Sequence, residues 1–500
     1  MIALVPEFHK RCLVSALVVS LLPACTSVRV AVPAMQEALP TQMDAATARP
    51  AGSAMPDLSR WWAGLEDPVL SGYIEEGLKN NLDVRVALAR IKEARAYLRV
   101  AESAYYPTVA AVAGASRGRQ ETPSPVQGQL NLPFPLPPLD MPPTKTQGNT
   151  HAFGLDAVWE IDIFGARHSD ADMVGELVMG AHEQKHGAQL MVASDIATNY
   201  FEARGAERRL GLLYQGVTVA QRLHLYASGR FNAGQTTASE VDRAALQLDF
   251  TESQIEPLKA KLQSHVRRIA VLMGHVPESL KVLPLQPVSS HLPTELPEVL
   301  PSDVLERRPD VRGAARKVRS QAAKLGSAKA ELFPKFYLGF GVLSGRIHPD
   351  HIEGRNFSIQ SMGIGMRLPL LEGGRIRANI AANEAQLEGV AVQYEQTVLA
   401  ALEDVENAYT AKKSFDVRFE KLGNSARLAR KVAEHKHALF VNGQELLQAA
   451  LEAEATALQR EDETIQVNVS QALYTVLLYK ALGGGWSADF SPAAPPRLPD

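Results

Sequence analysis

The sequence predicts a mainly α-helical chain with a membrane β-barrel part, built as two copies of a helix, two strands and a long helical hairpin. Three observations predict it. The stretch from Asn81 to Gly118 recurs from Arg308 to Gly345 without a gap. Two proline-free helical segments, Arg167 to about Asn232 and Arg375 to about Val441, would each reach about 100 Å at 1.5 Å per residue if continuous. Four strand-like segments of about ten residues, two in each copy and alternating with a period of two in the second, have the length of a tilted strand crossing a bilayer.

The repeat is clearest around "LERRPDVRGAARKVRSQ" (Leu305–Gln321), which is rich in arginine and lysine and reads at first as a nucleic-acid patch. The net charge of −3 gives no field for a polyanion, so no nucleic-acid partner is expected. The stretch is instead the twin of "NNLDVRVALARIKEAR" (Asn80–Arg95). One constant offset pairs Asp83 with Asp310, Ala87 with Ala314, Leu98 with Leu325, Pro107 with Pro334 and Gly118 with Gly345. Further pairs are "WEIDIFGAR" (Trp159–Arg167) with "RLPLLEGGR" (Arg367–Arg375), and "RFNAG" (Arg230–Gly234) with "LFVNG" (Leu439–Gly443). Internal repeats outrank local motifs in deciding architecture.

The elements follow in order. Residues 1–24 read as a signal peptide: His9, Lys10 and Arg11, then an apolar run from Cys12 to Leu22 too short to span a bilayer as a helix. Leu22-Pro23-Ala24-Cys25 reads as a lipobox, although Pro23 departs from the usual residue type. Cys25 would then be the lipidated N-terminus and Cys12 would be lost. An ordinary signal peptide ending near a cysteine is the alternative. Residues 25–67 form an N-terminal extended segment.

Repeat 1 spans 68–285, a linker 286–301, repeat 2 302–485 and a tail 486–500. Each repeat opens with a helix, Pro68 to about Ala104 or Ser302 to about Leu332, ending before Pro107 or Pro334. Strands follow at about 108–117 and 151–160, then 335–344 and 357–368. The first pair is joined by the proline-rich loop 118–150, the second by a short polar loop 345–356. After each long helix comes a glycine-centred turn at Gly234 or Gly443. Single helices then return from about Ser239 to Met273 and about Leu446 to Leu482, the second stopped by Gly483-Gly484-Gly485.

Four strands do not close a barrel, and an open edge facing lipid leaves backbone groups unpaired at several kcal/mol each. Long helical hairpins alone cannot bury both faces. Both demands point to a ring oligomer with a strand barrel at one end and a helical tube at the other.

The ordered set "WW" (Trp61-Trp62), "WEIDIFG", "RRPDVR" (Arg307–Arg312), "AELFP" (Ala330–Pro334), "RLPLLEGGR" and "ALGGGW" (Ala481–Trp486) resembles the TolC/OprM-type outer membrane efflux proteins, in the NodT-like lipoprotein branch. The resemblance implies a homotrimer with a twelve-stranded outer membrane barrel and a twelve-helix periplasmic tunnel. Its partners would be a periplasmic adaptor protein, an inner membrane RND-type pump and outer membrane lipid. No cofactor, metal or catalysis is implied; the chain would be a passive, gated conduit for small molecules. The resemblance places the periplasmic gate at the tips, with an acidic ring at Glu452. The family often has an acid at the position of Ala449 and a base at that of Glu445, bridging toward Ser239 or Glu240. Here Ala449 is apolar and Glu445 and Glu240 are both acidic, so Phe440 packing, Arg230 or a bound cation would hold the tip instead, the alternative being a looser closure.

Two other readings carry a sequence feature. "HEQKH" (His182–His186) satisfies the zincin pattern, with two histidines one turn apart and Glu183 as base, but it falls inside a repeat-derived helix whose twin near Val390–Tyr394 lacks both histidines. His348, His351, His435 and His437 suit metal efflux or plain solvated surfaces. A type I protein secretion channel shares the fold.

Overall fold

The computed structural model describes residues 57–120, 146–284, 300–350 and 353–487, with isolated positions 28, 30–33, 40, 43, 44 and 292. The signal segment, Cys25, the middle of the proline-rich loop, most of the 286–301 linker, His351 and the tail beyond 487 lie outside the described residues. The chain falls into two units. One holds Lys92–Gly180 and Ala315–Gln393; the other is built chiefly from Ala181–Ala314 and the chain from Tyr394 onward.

The first unit contains one antiparallel sheet, in the order β1 (Thr108–Gln120), β2 (Thr146–Ile161), β3 (Lys335–Pro349) and β4 (Arg355–Arg367). The two hairpins have one register. Thr108 sits opposite Val158 and Val109 opposite Ala157; Lys335 sits opposite Arg367 and Phe336 opposite Met366. One constant shift therefore carries β1 onto β3, Thr108 falling on Lys335. A second carries β2 onto β4, Val158 falling on Arg367, and the rungs then coincide. The β2–β3 pairing joins the repeats, with Trp159 opposite Leu338 and Phe153 opposite Ser344.

These registers gather the apolar alternation onto one face. Val109, Leu155, Trp159, Leu338, Phe340 and Ile364 share it, and Met362 and Ile364 there are 78% and 77% exposed. The opposite face mixes glycines, Gly114, Gly154, Gly339, Gly341, Gly363 and Gly365, with larger residues such as Val112, Tyr337, Leu343 and Ile359. The strands run 13 to 16 residues, longer than the ten expected. Both expected loops are therefore shorter. Residues such as Gly118, opposite Gly148, and Arg346, opposite Asn356, gain a ladder partner, and pairing sets strand length.

The second unit has a core drawn from both repeats, including Trp62, Leu70, Ile74, Ile196, Ile269, Tyr409 and Leu478. Trp61 stacks on Tyr479 with ring centroids 5.1 Å apart. Each opening helix is broken where a single helix was expected. Repeat 1 has α1 (Pro68–Asn80) and α2 (Leu82–Glu102); repeat 2 has α6 (Pro301–Arg307) and α7 (Pro309–Ala330). The breaks, Asn81 and Arg308, are twins under the shift that carries β1 onto β3. Arg308 precedes a proline, which pushes it to ψ 119°. Asn81 lies at ψ 137° and its Oδ1 accepts from the backbone N–H of Asp83 at 2.8 Å, capping α2.

Each break also caps a second helix. Asn81 Nδ2 donates to the Leu272 carbonyl at 2.8 Å, and Arg308 Nη1 donates to the Ala481 carbonyl at 3.3 Å. The glycines that follow those carbonyls, Gly274 (φ +83°) and Gly483 (φ +72°), press against the breaks: a Cβ at Gly274 would lie 2.7 Å from the Asn80 carbonyl oxygen.

The long outgoing helices are α3 (Ala166–Asn232) and α8 (Arg375–Val441), 67 residues each. The second returns as one helix, α9 (Leu447–Ala481). The first returns in two, α4 (Ala238–Ser253) and α5 (Ile255–Leu272), correcting the single helix expected there. The cause is Pro257. It has no N–H for the Ser253 carbonyl and its ring crowds that oxygen, so the helix restarts with proline in its first turn.

Candidate functional site

The two hairpin tips are built alike. In the first, the Gly234 N–H donates to the Phe231 carbonyl at 2.9 Å and the Gln235 N–H to the Arg230 carbonyl at 2.8 Å. In the second, Gly443 donates to Phe440 at 2.9 Å and Gln444 to Leu439 at 2.9 Å. These paired bonds satisfy carbonyls that a helix end otherwise orphans, and they require a residue in the left-handed region. Gly234 and Gly443 supply it at φ +70° and +71°.

Behind the tips, α3 and α9 pack through Val219, Leu451 and Leu458, flanked by Leu212, Leu223 and Leu447. Arg209 clasps Asp462 with two hydrogen bonds of 2.7 and 3.2 Å, and Arg430 on α8 holds Glu461 at 2.8 Å. The tips therefore sit on a fixed helical stem.

The charges at the tips settle locally. Glu240 pairs with Arg243 one turn along α4 at 3.3 Å. Glu445 accepts a hydrogen bond from Lys436 on the other arm of its own hairpin. That bond, with the Leu446 backbone N–H, holds the Glu445 carboxyl below its ordinary range. Arg230 Nη2 donates to the Gln235 carbonyl at 3.2 Å and so braces its own turn. The two carboxylates that lacked an evident base in the sequence each have one within their own hairpin. Lys436 and Arg243 are the residues sequence reasoning missed, and Arg243 was traceable: the shift that carries Gly234 onto Gly443 carries it onto Glu452.

Glu452 is exposed on α9 and accepts a hydrogen bond from Gln448 Nε2 at 2.8 Å. Ser239 is exposed at the start of α4, and Phe440 is half-buried with its ring 6.4 Å from that of His437.

The zincin-like glutamate has a different occupation. Glu183 is 2% exposed, accepts from Arg312 Nη2 at 2.7 Å and is bonded to His186 Nδ1 at 3.0 Å. Burial pushes its carboxyl up, but the hydrogen bonds from His186 and Arg312 outweigh burial and hold it below the ordinary value. Trp486 stacks on His186 at 4.2 Å, and the Arg312 guanidinium lies 5.0 Å from the Trp486 ring centre. Glu183 is thus the centre of a clamp joining α3, α7 and the glycine-rich end of repeat 2. Among the described residues, no group of three or more histidine, cysteine, aspartate or glutamate side chains is placed to hold a metal ion, and no helix is long and apolar enough to cross a membrane.

Comparison with known proteins agrees with this architecture. The outer membrane efflux protein family pattern matches residues 73–275 and 300–484. The chain is 25% identical over 433 residues to the pyoverdine export outer membrane protein OpmQ of Pseudomonas aeruginosa, covering 87% of this chain and 89% of that one. It is 28% identical over 439 residues to nodulation protein T of Rhizobium leguminosarum bv. trifolii, covering 85% and 88%. The solved outer-membrane channel OprN superposes with a TM-score of 0.74 at 26% identity, covering 91% of this chain and 99% of that one. The open state of the Neisseria gonorrhoeae MtrE channel shares the fold, with a TM-score of 0.75 at 22% identity over 92% of this chain and 99% of that one. With both repeats matched from their opening helices to their closing glycines, the chain belongs to the outer membrane efflux protein family and is an outer membrane efflux channel.

Proposed function

We propose that the chain works as a homotrimer, the passive gated conduit of a tripartite pump, exporting small molecules received from an inner membrane RND-type transporter through a periplasmic adaptor. The observation that carries this reading is the four-stranded sheet with one apolar face and, among the described residues, no strand beyond β1 or β4. A sheet at lipid depth needs closure, because its edge N–H and C=O groups find no water there. Three copies give a closed barrel of twelve strands, and their six hairpins a tunnel of twelve helices. Repeats 68–285 and 302–485 each supply half of one copy's share, and a lipidated Cys25 would add an anchor.

In this reading the tips form the gate. Glu452 from three copies presents carboxylates toward the axis, favouring cations and opposing anions. Gly234, Gly443, Ser239, Glu240, Phe440 and Glu445 shape the tips around it. Cargo would be set mainly by the pump; relatives carry names that refer to pyoverdine export and toluene efflux.

The test is the mass and conductance of the detergent-purified protein. Three chains per particle and discrete channels in a planar bilayer are expected. A particle of one chain without conductance would overturn the reading.

A further inference from the structure

The charges of the sheet are sorted by face and by end. On the face that carries Val109, Leu155, Phe340 and Met362, the four described strands hold no aspartate or glutamate. Their cations on that face, which include Arg117, His151, Arg346 and His348, all lie at the end away from the helices. The opposite face mixes signs, with Asp156 and Glu160 as well as Lys335 and Arg367. Charge placed for solubility alone intersperses both signs and does not need one sign on one face.

The register packs these cations onto two successive rungs. Arg117 faces Asn149, which faces His348; on the next rung His151 faces Arg346. Strands about 4.8 Å apart and rungs about 7 Å apart place all four within a patch roughly 12 Å across. His348 and Arg346 converge further: a Cβ at Gly354 would lie 2.8 Å from His348 Nε2 and 3.0 Å from Arg346 Nε. Glycine at 354 therefore lets the two nitrogens approach one point. Among the described residues, His151, Arg346 and His348 have no carboxylate partner, and Arg117 reaches Asp350 only at 3.8 Å. Toward the helices the same face turns apolar, from Phe153 to Ile161 on β2, about 27 Å along the strand. That length is of the order of a membrane barrel's apolar band.

We propose that this patch binds the phosphate of an anionic lipid headgroup in the outer leaflet. The proposal rests on the channel reading above, in which the helices lie in the periplasm and the far end of the sheet faces outward. The apolar band takes the acyl chains, and the cations stand just past it, at the level of the headgroup. A guanidinium suits phosphate because it offers several N–H donors in a planar fork. Each histidine adds a ring donor beside it. The arginine stems lie along apolar surface while their charged heads reach the interface. A lipid held in this way ties the sheet to the outer leaflet at a fixed depth.

The test gives the purified protein, in neutral detergent, either lipid A carrying two phosphates or the same lipid with both removed. Retained lipid is read by native mass spectrometry. The phosphorylated lipid should be held at least about tenfold more tightly. Arg346→Ser combined with His348→Ser should reduce that preference at least about fivefold. Arg367→Ser, on the opposite face and at the opposite end, should leave it within about twofold. Equal retention of the two lipids by the wild type would overturn the proposal, as would a double variant that keeps the wild-type preference. An equal loss in Arg367→Ser would make net charge the cause and overturn it too. Inorganic phosphate that displaces the lipid at equal concentration would assign the patch to free anions instead of a headgroup. Particle mass and channel conductance, measured on the same samples, keep the two readings apart. Conducting particles of three chains without phosphate preference remove this proposal alone. Particles of one chain without conductance remove the channel reading with it.

Discussion

The first hairpin tip and the second share a backbone and differ in charge. Gly234 and Gly443 have closely matching φ angles, and each turn closes with the same two hydrogen bonds. The side chains around them have diverged: the shift that carries Gly234 onto Gly443 carries Arg243 onto Glu452, Glu240 onto Ala449 and Arg230 onto Leu439. A turn of this kind asks only for a left-handed residue and two carbonyls, so duplication preserves it. Exposed side chains answer to solvent and partners. Each tip rebuilt its own neutralising pair, Arg243–Glu240 in one and Lys436–Glu445 in the other.

The largest expected effect comes where the repeats differ inside the core. Glu183 is buried against Arg312; the shift that superposes the tips carries it onto Val392, which is 56% exposed. Glu183→Ala should lower stability by about 2–4 kcal/mol, because Arg312 loses its partner, while Val392→Ala should stay within about 0.5 kcal/mol. The measurement is the denaturation midpoint of the detergent-solubilised protein. The folded carboxyl of Glu183 lies below its ordinary value. Its contribution is therefore complete above the unfolded pKa of about 4.3 and lost as pH falls through the lower folded value. Wild type and Glu183→Ala should converge in acid; a gap that widens there would contradict the clamp.

A middle effect probes what the tips share. Gly234→Ala and Gly443→Ala should each cost about 1–2 kcal/mol, since an alanine in the left-handed region sets its Cβ against the following carbonyl. Amide exchange at the two turns should rise to a similar extent. A large inequality would mean that the matching backbones carry unequal strain.

The smallest effect separates the tips by charge. Glu452→Ala should lower cation preference in a planar bilayer and Arg243→Ala should raise it, each on the order of twofold. Shifts in the same direction would remove the opposed-charge reading of the gate.

Much of the fold was legible in the chain because its cues are local and doubled. Alternation from Phe336 to Val342, the lack of proline in the two longest helices and the glycines at 234 and 443 each act within a few residues. The misses came where a weak local cue competed with a remote contact. Pro257 was visible yet sat inside a strongly helical pattern, and it split the returning helix. Asn81 and Arg308 read as helix-interior residues, whereas they break the helix and their side chains cap helices far along the chain, at Leu272 and Ala481. At the tip, the sequence placed Glu445 without showing that Lys436 would reach it across the turn.

By itself the sequence determined the duplication, the order of elements and the positions that must be glycine, because spacing, apolar period and backbone sterics are properties of neighbouring residues. Only the tertiary structure decided which charges neutralise which. It turned the zincin-like Glu183 into an ion-pair partner for Arg312, and it aligned four strands into one apolar face with β1 and β4 at its edges. Those outcomes depend on side chains from distant parts of the chain meeting at hydrogen-bond distance, 2.7 Å for Arg312 and Glu183, a closeness that no local pattern encodes.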